Sequence, residues 1–453
     1  MIVMKFGGTS VKDSEAIERV IGILKSKLPK KVVVVVSALS KVTDTLTQTA
    51  TLAAAGKYSE AMELVLELLK RHLHMIDRLF GENLKLKGEA VSITNQYFYK
   101  LEEYIKVVSV IEELSDLSLA KILAFGELLS SNIIYRAMVN AGLATRYSDA
   151  RTIIITNSDF LKGEPNIEII ASKVKELVDR EFISNDFIIT QGFISGTVDG
   201  KDAILGRGGS DYTAALIGRA GGATEIEIWT DVDGIHTTDP RMISKAKSIS
   251  VMSFNEAAEL SFFGAKVLHP ATIQPAVEKG IPIRVLNSLK PEQRGTLILM
   301  DDQVESSGVR AISFKESVTV VNIFSLKMLH SSGFLNRIFE IFGKYSTSVD
   351  IVSTSEVNVS LTVDSANSSR LPKIIEELSL FAKVSVMEDK AQISVVGKNL
   401  KEIKGLVERV FGAISDYNIT MISQGSSNVN ISFVIFRNEL TNVVRCLHKE
   451  FFE

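Results

Sequence analysis

Hydrophobic positions along this chain follow two rhythms, and the rhythm changes near residue 301. Up to that point, short apolar runs alternate with stretches in which apolar residues recur every three or four positions. Ile2–Phe6 is an apolar run interrupted only by Lys5, and Val32–Val36 is an unbroken run of valine. A run of the second kind is buried on both faces, as in a parallel sheet covered by helices. Between them Ile17, Val20, Ile21 and Leu24 trace a helix that Asp13 or Ser14 can cap. The spacing predicts helix through residues 45–118, where Leu64, Leu68 and His72 fall on one stripe, and a further helix over 128–141 that Glu127 opens and Gly142 stops. Strands then alternate with helices: strands at 144–147, 152–156, 187–190, 203–205, 225–229 and 283–287, helices at 167–180 and 254–263. Such alternation over nearly 300 residues predicts a three-layer α/β domain over residues 1–300.

Beyond Asp301-Asp302 the units are shorter and repeat. Gly333-Phe-Leu-Asn-Arg-Ile-Phe339 matches Gly405-Leu-Val-Glu-Arg-Val-Phe411, and Val357-Asn-Val-Ser360 matches Val429-Asn-Ile-Ser432, both at a separation of 72 residues. This is a duplicated βαββαβ unit of the ferredoxin-like kind. The first copy is complete within 316–390; the second, 391–453, lacks a last strand, and the unpartnered run 309–314 is expected to supply it. The second domain is thus 301–315 plus 391–453, with the first inserted into it. A single such unit leaves a sheet edge bare, so pairing between copies or across a dimer is expected.

Composition narrows the class without naming it. Hydrophobic residues at 45% and charged residues at 23% are ordinary for a globular protein. A net charge of -3, with no block of five like charges, argues against a nucleic-acid surface. One cysteine, Cys446, excludes an internal disulfide framework and leads us to expect a cytoplasmic protein. The apolar runs lead us to expect no bilayer-spanning segment and no membrane partner. His72 and His74 lie two apart on a helix, face different ways and are read as helix surface rather than a metal site. Asp231-Val-Asp-Gly234 starts like a calcium loop, but its twelfth position is Met242, so calcium is rejected and no protein metal site is assigned.

The chemistry concentrates where glycine meets charge. Gly206-Arg-Gly-Gly-Ser-Asp211 runs into a helix pattern of Ala, Leu and Ile. Glycines there let backbone N–H groups approach a ligand, and the helix N-terminus points free donors at the same place. Arg207 adds a fork for a carboxylate or phosphate. Asp211 beside an anion makes sense if it positions a lysine or a metal. A glycine turn capped by Ser210 or Asp211 would read the same in isolation. A second turn, Gly7-Gly-Thr-Ser10 after Lys5, and Lys266 after Gly264 supply the remaining positive groups and donors for phosphoryl transfer. No G-x-x-x-x-G-K-[ST], no G-x-G-x-x-G after a strand and no H-R-D or D-F-G set is present, which removes the P-loop, Rossmann and protein-kinase readings.

Lys5-Phe-Gly-Gly-Thr-Ser10, Gly206-Arg-Gly-Gly-Ser-Asp211, Trp229-Thr-Asp231, Thr238-Asp-Pro-Arg241 and Gly264-Ala-Lys-Val-Leu-His-Pro270, in this order, resemble the aspartate kinase family over essentially the whole chain. The resemblance implies an amino-acid-kinase domain followed by tandem ACT domains. It implies transfer of the ATP γ-phosphoryl to the side-chain carboxylate of L-aspartate, the first step toward lysine, threonine and methionine. It assigns Lys5 and Asp211 to catalysis, and Ser37, Thr43, Glu127, Arg207 and Ser210 to aspartate. Lys5, Gly7, Gly8, Thr230, Asp231, Arg241 and Lys266 would hold ATP, with Mg²⁺ bridging its phosphates; His236, where the family usually has a tyrosine, is a further nucleotide candidate. Segments around Met328 and Ser348 resemble the lysine-sensitive branch and imply a lysine site at Met328, Ser331, Phe334, Leu335, Val349 and Asp350, with threonine as the rival effector. They also imply a homodimer or dimer of dimers through the ACT domains. Because the sequence stops after the last ACT helix, a monofunctional enzyme is expected. The competing readings are another amino-acid-kinase-fold enzyme, which a substrate panel would separate, and a catalytically silent amino-acid-binding regulator.

Overall fold

The computed structural model describes residues 1–453 except 263–269, 306, 330–331 and 426, and gives only the backbone for 262 and 366–368. Lys266 and Ser331 therefore lie outside the described residues. The chain forms two compact units, Met1–Ile235 with Leu268–Met300, and His236–Val267 with Asp301–Glu453. The segment His236–Val267, which lies within the block expected over 1–300, falls in the second of these units.

In the first unit the apolar runs become parallel strands. Their order is Thr145–Tyr147, Phe187–Gln191, Val32–Val36, Ile2–Phe6, Ile226–Thr230 and Ile283–Asn287, and Thr296–Leu299 pairs antiparallel with the last. All five residues of Val32–Val36 are buried, as an all-valine strand between two helical layers must be. The parallel register brings the carboxyl ends of Ile2–Phe6, Val32–Val36, Phe187–Gln191 and Ile226–Thr230 to one edge of the sheet, where open α/β sheets bind ligands. A small sheet of Ile155–Thr156, Ile194–Thr197 and Asp202–Ile204 lies in the same unit.

Two helix assignments change, and one residue read as helix surface is buried. The helix expected to start at residue 128 begins at Asp116 and ends at Asn140; Ser115 caps it, its hydroxyl accepting from the Ser118 N–H at 3.2 Å. Glu127 therefore stands in mid-helix, away from any dipole end. By composition this helix is long and apolar enough to cross a membrane, contrary to the sequence reading, yet 78% of its apolar window is buried inside the protein. The β-branched run expected as a strand over 152–156 instead makes a short helix, Ala150–Ile153, capped by Asp149, and only Ile155–Thr156 is extended. His72, read as helix surface, is wholly buried. Its ring meets Phe98 edge-on at 5.5 Å and its Nδ1 lies 2.7 Å from the Leu68 carbonyl.

The second unit carries a six-stranded antiparallel sheet, in the order Val352–Thr354, Asn358–Asp364, Gly308–Phe324, Lys383–Lys398, Asn430–Phe436 and Met421–Gln424. Its two long central strands each serve both repeats. Residues 308–315 pair with 392–398, completing the second copy, and 318–324 pair with 383–390 and with 358–364 in the first, with the register shifting where the copies meet. Helices Phe334–Lys344 and Leu371–Ser379 cover one core, built on Val321, Ile323, Leu361 and Val363. Helices Leu406–Gly412 and Leu440–Phe452 cover the other, built on Ile393, Val395, Ile431 and Phe433. The repeat extends to backbone detail, since Gly333 and Gly405 each cap their helix at positive φ, 86° and 75°.

Candidate active site

A cavity of about 680 Å³ opens in the first unit at the carboxyl ends of the parallel strands. Lys5, next to last on Ile2–Phe6, pairs with Asp211 at 2.7 Å, and both side chains are largely shielded. Asp211 sits in the first turn of helix Gly209–Gly221, whose cap, Gly208, is left-handed at φ 73°. Only glycine adopts that conformation without strain, and it turns the helix N-terminus toward the cavity. Gly206, at φ 74°, makes the preceding bend and sets Arg207 exposed on the cavity wall. Close packing fixes the turn from behind: a Cβ on Gly192 would lie 2.5 Å from the Ser210 Cβ, and one on Gly209 would lie 2.9 Å from Phe193.

The loop after Val32–Val36 forms the opposite wall. The Ser37 hydroxyl donates to the Ser210 hydroxyl at 3.0 Å. One peptide group, Ser37–Ala38, is gripped at both poles by helix Asp116–Asn140. The Ser130 hydroxyl donates to its carbonyl at 2.8 Å, and its N–H donates to Glu127 Oε1 at 3.2 Å. Glu127 is 3% exposed and its Oε2 has no hydrogen-bond partner. Burial, against the opposing pull of the Ala38 N–H, raises its carboxyl to about 8. Beneath the loop, Gln191 is buried and fully engaged: its amide nitrogen donates to Ser131 and Tyr147 at 2.7 and 2.6 Å, and its oxygen accepts from the Ala150 N–H. Below Thr230, Ser288 donates to the Thr230 carbonyl at 3.0 Å and meets the Ser10 hydroxyl at 2.8 Å, tying the first glycine turn to the strand end.

Cationic and N–H donors on two walls, with a buried carboxyl on a third, suit a zwitterionic acid beside a polyphosphate. The amino acid kinase family model matches residues 1–287, and an ACT domain model matches residues 393–451. The chain is 36% identical to aspartokinase 1, chloroplastic, of Arabidopsis thaliana, over all of this chain and 80% of that one. It is 35% identical to lysine-sensitive aspartokinase 3 of Escherichia coli, over all of this chain and 99% of that protein. The chain belongs to the aspartokinase family. Crystal structures of Escherichia coli aspartokinase III superpose over the whole of both chains at 34% identity. The TM-score is 0.85 for the complex with aspartate and ADP, called the R-state, and 0.84 for the complex with lysine and aspartate, called the T-state.

In this aspartokinase the cavity gathers Lys5, Gly7, Gly8, Ser37, Thr43, Glu127, Arg207, Ser210, Asp211 and Thr230. Three other nucleotide candidates are not among its lining residues. The Asp231 carboxylate accepts from the Thr230 hydroxyl at 3.2 Å. Arg241 is 90% exposed and clamps Asp239 at 2.6 Å. His236, in the second unit, forms a backbone bridge with Ser248. Lys41 and Asp44, in the polar stretch that follows Val32–Val36, and Phe193 also line the cavity, and the sequence reading gave none of them a role. Lys41 and Phe193 are non-glycine residues at positive φ, 68° and 66°, a conformation that leaves no compositional mark. Ser130 also escaped, because a serine three residues after a glutamate is unremarkable until the helix is placed against Ser37.

Of the regulatory candidates, Phe334 is buried in the core of the first repeat, Met328 and Val349 pack against that core, and Leu335 is 39% exposed. Asp350, expected to receive an effector ammonium, already accepts from the Lys315 ammonium at 2.6 Å and is 5% exposed. Burial raises its carboxyl, and Lys315 works against that rise.

Proposed function

We propose that the enzyme transfers the γ-phosphoryl group of ATP to the side-chain carboxylate of L-aspartate, giving 4-phospho-L-aspartate and ADP. The observation that carries this reading is the Lys5–Asp211 pair, held at 2.7 Å between two glycine turns and facing a cavity that also contains Glu127. No general base is required, because a carboxylate is already ionised at neutral pH. The protein's task is to bring two anions together and to stabilise charge on the transferring phosphoryl. Lys5 neutralises that charge, and Asp211 fixes the direction of its ammonium. Arg207 clamps the α-carboxylate of aspartate, Glu127 receives its α-ammonium, and Ser37, Thr43 and Ser210 orient the rest. The glycine turn at Gly7 and Gly8, with Thr230, supports the nucleotide phosphates; Asp231, His236, Arg241 and Lys266 are further nucleotide candidates. Asp211 is committed to Lys5, and among the described residues no group of three His, Cys, Asp or Glu side chains converges. Mg²⁺ would therefore ride on the phosphate oxygens of ATP, where it offsets their charge.

Trapping the acyl phosphate with hydroxylamine tests the reading. Hydroxamate should form from L-aspartate with ATP; turnover of another acid but not aspartate would leave the fold and overturn the substrate. Lysine is the proposed inhibitor, acting at the first repeat around Met328, Ser331, Phe334, Leu335, Val349 and Asp350. Lysine at millimolar concentration should lower hydroxamate yield, and indifference to it would move the effector to threonine. A homodimer through the regulatory unit is proposed because its sheet ends on two edge strands, Val352–Thr354 and Met421–Gln424.

A further inference from the structure

Glu127 is a buried carboxyl that no cation balances. Its Oε1 is held by the Ala38 N–H at 3.2 Å, its Oε2 is free, and the residue lines the cavity. The charged groups on the neighbouring elements are otherwise placed. Lys5 at the strand end is paired with Asp211 of helix Gly209–Gly221. Arg207 of the glycine turn, Lys41 of the loop and Asp44 of helix Val42–Ala54 also line the cavity, and none of them is paired with Glu127 among the described residues. From helix Leu84–Ile111, Tyr97 and Tyr104 turn to Phe125, which stands two residues before Glu127 and so on a different face of its helix; from strand Thr145–Tyr147, Tyr147 bonds Asn132 at 2.8 Å. Burial raises the phenols of Tyr97 and Tyr147, so neither carries a charge at neutral pH.

An isolated carboxylate in such a place is costly, and a neutral acid is not. We propose that Glu127 is a neutral carboxyl in the free enzyme and gives up its proton when the α-ammonium of aspartate docks against its unpartnered oxygen. The balance is simple: the carboxylic acid and the ammonium become a carboxylate–ammonium pair, and one proton leaves for bulk solvent. No covalent bond to the substrate forms or breaks. The raised carboxyl, at about 8, sets the window. Below that pH the free enzyme holds the proton and the complex does not, so aspartate affinity rises with pH and levels off above it. The same exchange makes Glu127 a specificity determinant: a dicarboxylic acid lacking the amine leaves the proton in place. The inference rests on the assignment of the substrate ammonium to Glu127.

Isothermal titration of the full-length enzyme with L-aspartate at pH 7, in phosphate and in Tris, counts the protons through the buffers' different ionisation enthalpies. Close to one proton should be released per aspartate at pH 7, and the release should shrink as pH rises through 8. Succinate, titrated the same way, should release none. Glu127→Gln should bind aspartate at least tenfold more weakly and with no proton release. If aspartate binds the wild type without releasing a proton while Glu127→Gln still weakens it, Glu127 is ionised beforehand; the proton exchange is overturned and the ammonium assignment stands. Proton release that persists in Glu127→Gln overturns the exchange at this residue. Tight aspartate binding by Glu127→Gln overturns the ammonium assignment itself.

Discussion

The residues proposed to carry the chemistry differ in how openly the sequence displays them. Lys5 was visible because a charge interrupts an otherwise apolar strand, and Asp211 because it follows a glycine run at a helix start. Their pairing at 2.7 Å gives a direct prediction. Lys5→Met should lower kcat by roughly a hundredfold to a thousandfold with little change in the KM for aspartate, since it removes charge that matters most in the transition state. Hydroxamate kinetics would check it, and a pure KM effect would reassign Lys5 to ground-state binding. Glu127 is the opposite case, for its burial exists only once helix Asp116–Asn140 lies against the Ser37–Ala38 peptide. A folded-state carboxyl raised to about 8, against 4.5 in the unfolded chain, contributes stability that is complete below 4.5 and is lost as pH rises through 8. Glu127→Gln keeps the shape and has nothing to ionise. Its melting temperature relative to wild type should therefore climb between pH 6 and pH 8 and level off above, with up to about 1.4 kcal/mol gained per pH unit.

At the scale of elements, the strand ends work because glycine lets them touch. In Gly192→Ala the new Cβ would fall 2.5 Å from the Ser210 Cβ and 2.7 Å from its Cα, so strand end and helix start must separate. A loss of about 1–3 kcal/mol follows from overpacking, together with a fall in kcat/KM as Ser210 moves away from Ser37. Denaturant melts and steady-state rates would show whether the two losses come together. The pair of long helices Tyr58–Phe80 and Leu84–Ile111 makes a different prediction. His72 is sealed between them and burial depresses its imidazole to about 4. A depressed imidazole contributes stability that is present above 6.5 and is lost as pH falls through 4. His72→Leu should narrow the fall in melting temperature between pH 6.5 and pH 4.5; an unchanged acid profile would place the acid-labile group elsewhere. Helix periodicity identified the stripe that holds His72, but not the phenylalanine that covers it.

At the scale of the molecule, the duplicated unit ends as one sheet, with the strands Gly308–Phe324 and Lys383–Lys398 running through both copies. A buried ion pair, Lys315 of the second copy with Asp350 of the first, stands in the place assigned to the effector's ammonium. A lysine effector must therefore compete with Lys315 for one carboxylate. Asp350→Asn keeps an acceptor for Lys315 but removes the charge the effector needs, so the lysine concentration for half-inhibition should rise more than tenfold. Inhibition curves on the full chain would measure it, and an unchanged curve would place the effector off Asp350. The interruption of the first unit after Ile235 had no trace in the sequence, since strand and helix patterns continue across it without a change of rhythm.

The sequence by itself determined the classes of element and much of their chemistry. An all-valine strand requires burial on both faces, a glycine run before a helix allows a tight turn with free backbone donors, and a separation of 72 residues betrays a duplicated unit. Each of these is a local property: periodicity, backbone freedom or identity at a fixed offset. Only the tertiary structure decided that Glu127 lies in mid-helix with one free oxygen, that Lys41 and Phe193 line the cavity at positive φ, that His72 is core, and that Lys315 already holds Asp350. Burial and pairing depend on which distant segment arrives at a side chain, and the spacing of residues along one strand or helix carries no record of that.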